Sequence, residues 1–122
     1  MIVLLLACVG NPELSPSSQG CTNYDFDEPQ DSTVEFSVAG DVADVWRSYV
    51  ERENADDSFD PDLSGEGNVV EIHEKWVAGS DANPTCLEPH VQIKGFGAPI
   101  EVRWFTADNS AVPVDTLEIE PQ

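Results

Sequence analysis

Apolar and polar residues alternate with period two over Val34-Glu35-Phe36-Ser37-Val38, which predicts a strand with one wet face. Gly40-Asp41 closes it. The period then changes: Val42, Val45, Trp46, Tyr49 and Val50 recur at helical spacing, with Asp44, Arg47, Ser48, Glu51 and Arg52 facing the other way. Asp41 as N-cap and Asp44 at the positive end of the dipole complete the prediction of a helix over 42–53. Residues 55–68 read as a long polar connection. Residues 69–78 fit either period: Val70, Ile72, Trp76 and Ala78 share a strand face interrupted by Glu74, while a helix would gather Val69, Val70, Ile72, His73, Trp76 and Val77. The β-branched run favours the strand.

Residues 79–89 read as loop and 90–94 as strand, stopped by Gly95-Phe96-Gly97. Alternation over 100–106 and 111–119 around Asp108-Asn109-Ser110 predicts a β-hairpin, with Pro113 placing its second strand at an edge or a bulge. A short edge strand is expected over 24–29. Residues 9–20, which carry two prolines, read as a flexible tether ahead of one β-rich domain over 21–122. The expected fold is α+β, mainly β: an antiparallel sheet with one helix packed on it. If 42–53 is instead a strand, the alternative is an all-β, immunoglobulin-like sandwich. Either would bury Phe36, Trp46, Ile72, Trp76, Ile93, Val102 and Trp104.

Length and apolar content fit one domain. Charge changes the picture, because 24 acidic against 5 basic residues give a net charge of −19. Nucleic acid and anionic lipid headgroups would be repelled, and the chain reads as a monomer. The acidic residues are scattered after Gly10, which fits a cation-rich habitat better than one dedicated site.

The first ten residues carry the most specific signal. Ile2 to Ala7 is an unbroken apolar run ending at Cys8, far short of the roughly 20 residues that span a bilayer. Leu5-Leu6-Ala7-Cys8 resembles the lipobox of bacterial-type lipoproteins. The resemblance implies that residues 1–8 are a signal-peptide remnant, that Cys8 carries the lipid, and that the chain is anchored outside the cytoplasm in the cell envelope. The basic segment that opens such signals would lie upstream, since no Lys or Arg precedes Arg47; the alternative for Ile2 to Ala7 is a buried strand. With Cys8 lipidated, Cys21 and Cys86 remain to pair, as an oxidising compartment permits, or stay as two unrelated buried thiols. A bridge closing so long a loop stabilises by about 4 kcal/mol on the chain-entropy model.

Within the domain, Phe59-Asp60-Pro61-Asp62-Leu63-Ser64-Gly65-Glu66-Gly67-Asn68-Val69-Val70-Glu71 resembles the calcium loop of EF-hand proteins. The resemblance implies Ca2+ ligands at Asp60, Asp62, Ser64, Glu66 and Glu71, with Gly65 at the sharp turn. Ser64 stands where Asp or Asn is usual, and Gly67 where a branched apolar residue pairs with a second loop. Cys86 and His90 have a copper-like spacing, but His73 is the only other histidine and Met1 the only methionine. The chain has no nucleophile elbow, phosphate-cradling loop or zinc spacing. The expected function is non-enzymatic: an acidic binding or structural domain on a lipid anchor, or else a calcium-dependent binding module.

Overall fold

The computed structural model describes residues 12–109 and 111–122, and all regular structure among them is strand. In chain order the strands are β1 (Glu13–Gly20), β2 (Val34–Ala39), β3 (Val42–Arg47), β4 (Val50–Arg52), β5 (Ser58–Phe59), β6 (Asp62–Glu66), β7 (Val69–His73), β8 (Trp76–Val77), β9 (Thr85–Lys94), β10 (Ile100–Phe105) and β11 (Asp115–Ile119). One sheet has the order β1-β9-β3-β2 with β4 also on β9; the other runs β11-β10-β7-β6. A small third sheet pairs β5 with β8. Ala43, Val45, Val91 and Ile93 of the first sheet and Val70, Ile72, Val102 and Trp104 of the second form one buried core between them.

The mainly-β expectation holds, and the predicted helix does not exist. Residues 42–53 fold as β3 and β4, separated by a bulge. Trp46 faces His90 and Val50 faces Leu87, so Arg47, Ser48 and Tyr49 oppose only Glu88 and Pro89. Pro89 has no N–H to offer the ladder, and a bulge is where a central strand tolerates proline. Tyr49 takes up the kink with a φ of 54°, and the freed Ser48 N–H donates to the Thr33 carbonyl at 2.8 Å. Ala43 and Val45 point inward before the bulge, Ser48 and Val50 after it. This one-residue slip mixed two period-two registers into a helical spacing. The two-residue Gly40-Asp41 hairpin, with Gly40 at φ 64°, was the signal against a helix.

The sandwich also differs from an immunoglobulin-like one, because β7 and β10 are parallel whereas that arrangement is antiparallel. Their crossover runs through β9 of the opposite sheet.

Other corrections are local. Most of the expected tether is β1, paired with β9 from Glu13↔Lys94 to Gly20↔Leu87; Leu14 packs on the core, and an edge strand accommodates Pro16. Residues 24–29 form turns rather than a strand. The polar connection over 55–68 contains β5 and β6, and Cys86 lies within β9. The β10–β11 hairpin forms, but its second strand starts only at Asp115, after Pro113. Of the expected core, Ile72, Ile93, Val102 and Trp104 are wholly buried and Phe36 is 42% exposed; Trp46 and Trp76 are half-buried.

The strands define two poles. One holds the tight turns Gly40-Asp41 and Gly67-Asn68, the 95–99 connection and Pro12, with Gln122 N–H donating to the Gly40 carbonyl at 2.8 Å. The opposite pole holds the longer connections over 21–33 and 53–57 and the one between β10 and β11.

Candidate functional site

Cys8 lies outside the described residues. Cys21 and Cys86 are joined by a disulfide with a Cα–Cα distance of 5.4 Å, and Cys21 N–H donates to the Cys86 carbonyl at 3.1 Å. The bridge fastens the end of β1 to the start of β9 at the long-loop pole. It also removes Cys86 from any copper site.

The calcium-loop residues do not wrap a common centre. Asp60–Glu71 falls largely on the β6–β7 hairpin, in which Asp62 pairs with His73 and Ser64 with Glu71. Asp62, Ser64 and Glu66 alternate outward into solvent, which is what period-two geometry dictates. Lys75 lies 3.4 Å from Asp62, and Glu71 accepts from Arg103 at 3.3 Å. Asp60 is exposed, its N–H donating to the Lys75 carbonyl at 2.9 Å. Among the described residues, no three His, Cys, Asp or Glu side chains are grouped to hold a metal ion.

The most tightly built polar centre is Glu74, which the sequence pattern showed only as a flaw in a strand face. It follows β7, where the chain leaves one sheet for β8, and its N–H donates to the Phe105 carbonyl at 2.8 Å. Its side chain is 3% exposed. Oε1 accepts from Arg47 Nε at 2.7 Å and Trp104 Nε1 at 3.0 Å. Oε2 accepts from Arg47 Nη2 at 2.8 Å and Trp76 Nε1 at 3.0 Å. Burial pushes the carboxyl upward, but the Arg47 fork and charge, with the two indole N–H groups, outweigh it and hold the group below its ordinary value. A fully bonded, paired carboxylate of this kind joins β3, β8 and β10 without an orphaned charge. Every donor it faces is already used, so it is a fastening and offers no free catalytic group.

Neighbouring acids repeat the device. Asp57 accepts from Gly79 N–H at 2.7 Å and Arg52 Nε at 2.8 Å, and Arg52 lies 4.8 Å over the Trp76 ring. Asp56 accepts from Ser80 N–H at 3.1 Å and Asp81 N–H at 2.9 Å. The Gly79 amide, then Arg52, holds Asp57 below the ordinary carboxylate value, against some desolvation; the Asp81 and Ser80 amides do the same for Asp56. Gly79 is tightly enclosed: a Cβ there would fall 1.9 Å from Asp56 Oδ1 and 2.8 Å from its backbone carbon. Tyr24 donates to Glu51, and that bond, burial and the Glu51 charge push the phenol up to about 12.

A different kind of feature runs along one side of the sandwich. Between β2 and β11 lies an open cavity of about 650 Å³, with Phe36, Val38 and Ile100 on its apolar part and Glu101, Glu118 and Glu120 around it. A second hollow of about 250 Å³ lies at the other end of the same strands, between Val34 and Val114. The larger has the size of a ligand pocket, and its charged side chains are all acidic. Comparison with models of known protein families, with curated proteins and with solved structures returns no match.

Proposed function

We propose that the chain is a lipid-anchored domain of the cell envelope, exported and oxidised, whose role is binding or structural and not catalytic. The Cys21–Cys86 bridge carries this reading. A structural disulfide belongs to an oxidising compartment, and pairing two of the three cysteines leaves Cys8, placed directly after Leu5-Leu6-Ala7. The saturated bonding of Glu74 further supports a domain built for stability.

The anchor also sets an orientation. Val9, Gly10 and Asn11 alone separate Cys8 from Pro12, a reach of at most about 14 Å at full extension. The pole with the tight turns then faces the membrane, and the disulfide pole points away from it.

The test is expression in a bacterial host behind a basic signal segment, followed by detergent phase partitioning. The protein is expected in the detergent phase and Cys8→Ser in the aqueous phase. Aqueous partitioning of both would overturn the anchor.

A further inference from the structure

We propose that the seam between β2 and β11 is a docking groove for an extended, basic segment of a partner polypeptide, which adds as a strand to the edge of β2. Among the described strands β2 pairs only with β3, and β11 only with β10. Among the described residues, both therefore leave backbone N–H and C=O groups unpaired toward the seam. The two strands run in the same direction, and the cavities of about 650 Å³ and 250 Å³ lie at opposite ends of the lane between them. The lane follows the six residues of β2, roughly 20 Å at strand rise. That is the length of a short recognition strand.

The edge itself differs from its counterpart on the other side of the sheet. β1 carries Pro16 and is otherwise almost all polar, the usual protection against strand addition. β2 reads Val-Glu-Phe-Ser-Val-Ala, without proline, lysine or a bulge, and leaves Phe36 42% exposed over the cavity. Backbone pairing supplies affinity in strand addition, and alternate side chains entering pockets supply specificity. Here the pocket beneath alternate positions is lined by Phe36, Val38 and Ile100.

Charge selects the occupant. Glu101, Glu118 and Glu120 border the larger cavity and Asp115 the smaller. Arg47, which borders the smaller cavity, is already committed to Glu74. Glu118 stands directly opposite Glu101 in the β10–β11 register, and Glu101 is already paired with Arg103, so Glu118 and Glu120 are the carboxylates that meet an incoming cation. A segment alternating apolar residues with Lys or Arg matches both the lining and the rim.

The experiment titrates the full 122-residue chain, 15N-labelled and oxidised, with the peptide acetyl-Lys-Val-Arg-Val-Lys-Val-amide and with its acidic counterpart acetyl-Glu-Val-Glu-Val-Glu-Val-amide. The basic peptide is expected to move the amide resonances of Val34–Ala39 and Asp115–Ile119 to saturation, and the acidic one to leave them in place. Glu118→Lys with Glu120→Lys, both on the surface, is expected to weaken binding about tenfold without lowering the melting temperature. Absence of shifts, equal response to both peptides, or shifts confined to β1 would overturn the proposal. So would movement of the same resonances with protein concentration alone, which would assign the groove to a second copy. No membrane is involved, so the outcome is independent of lipidation at Cys8.

Discussion

The two poles of this sandwich are held by different chemistry. At one, Gly40, Gly67 and Gly95 adopt positive φ values of 64°, 64° and 82°, and the chain reverses or crosses with few residues and little side-chain help. At the other, long loops are fastened by the Cys21–Cys86 bridge, the Arg47–Glu74 pair with its two indoles, and the Asp56 and Asp57 caps over 79–81. Loops that cannot bury enough apolar surface need such fastenings, because their ordering costs conformational entropy. The acidic residues divide accordingly. A few at the long-loop pole hold structure, whereas Asp62 and Glu66 on the β6–β7 hairpin are exposed to solvent.

Breaking the strongest fastening gives the largest expected effect. Glu74→Ala leaves Arg47 and two indole N–H groups without their acceptor, and is expected to cost about 5 kcal/mol, at the upper end for disrupted buried pairs, in urea unfolding at pH 7. Its pH dependence follows from the direction of the shift. The folded carboxyl titrates below its ordinary 4.5, so its contribution is fully present above about pH 4.5. It is lost as pH falls through the folded value. The gap between wild type and Glu74→Ala should therefore be constant from neutral pH down to that point and narrow below it.

Next comes the bridge. Cys21→Ser with Cys86→Ser is expected to lose about 4 kcal/mol by loop-closure entropy, and hydrogen exchange should accelerate first in β1, which the bridge pins at Gly20. Glycine substitutions sharpen the contrast between poles. Gly79→Ala forces a methyl into Asp56 and should cost about 3 kcal/mol, whereas Gly67→Ala, with open space around its Cβ and only the positive φ to strain it, should cost about 1 kcal/mol. The smallest effect belongs to the hairpin: Asp62→Asn with Glu66→Gln should change stability by less than about 0.5 kcal/mol.

Much of the strand content was legible because alternation reports a half-buried sheet directly, as at 34–38, 90–94 and 100–105. What misled was non-local. The bulge at Ser48-Tyr49 is imposed by Pro89, dozens of residues away in the chain, and no window over 42–53 contains that information. β1 reads as a tether in sequence because its polar composition lacks an amphipathic face; its pairing is fixed by β9 and by the cystine. Glu74 broke an otherwise apolar face, and a carboxylate among Ile72, Trp76 and Trp104 is a sign of a buried partner. The sequence could not say that the partner was Arg47, which a helix would have placed in solvent. The Cys21–Cys86 bridge is one of the two readings that the cysteine count leaves open, and the outward alternation of Asp62, Ser64 and Glu66 is a property of strand geometry that the calcium-loop spacing does not report.

The most direct test of the envelope assignment is the intact mass of the protein recovered from the cells that make it, before and after reduction. The expected species begins at Cys8, carries a diacylglyceryl group on that residue, and gains two hydrogens on reduction as Cys21 and Cys86 separate. A chain that retains Met1, carries no lipid and has the same mass before and after reduction would contradict it.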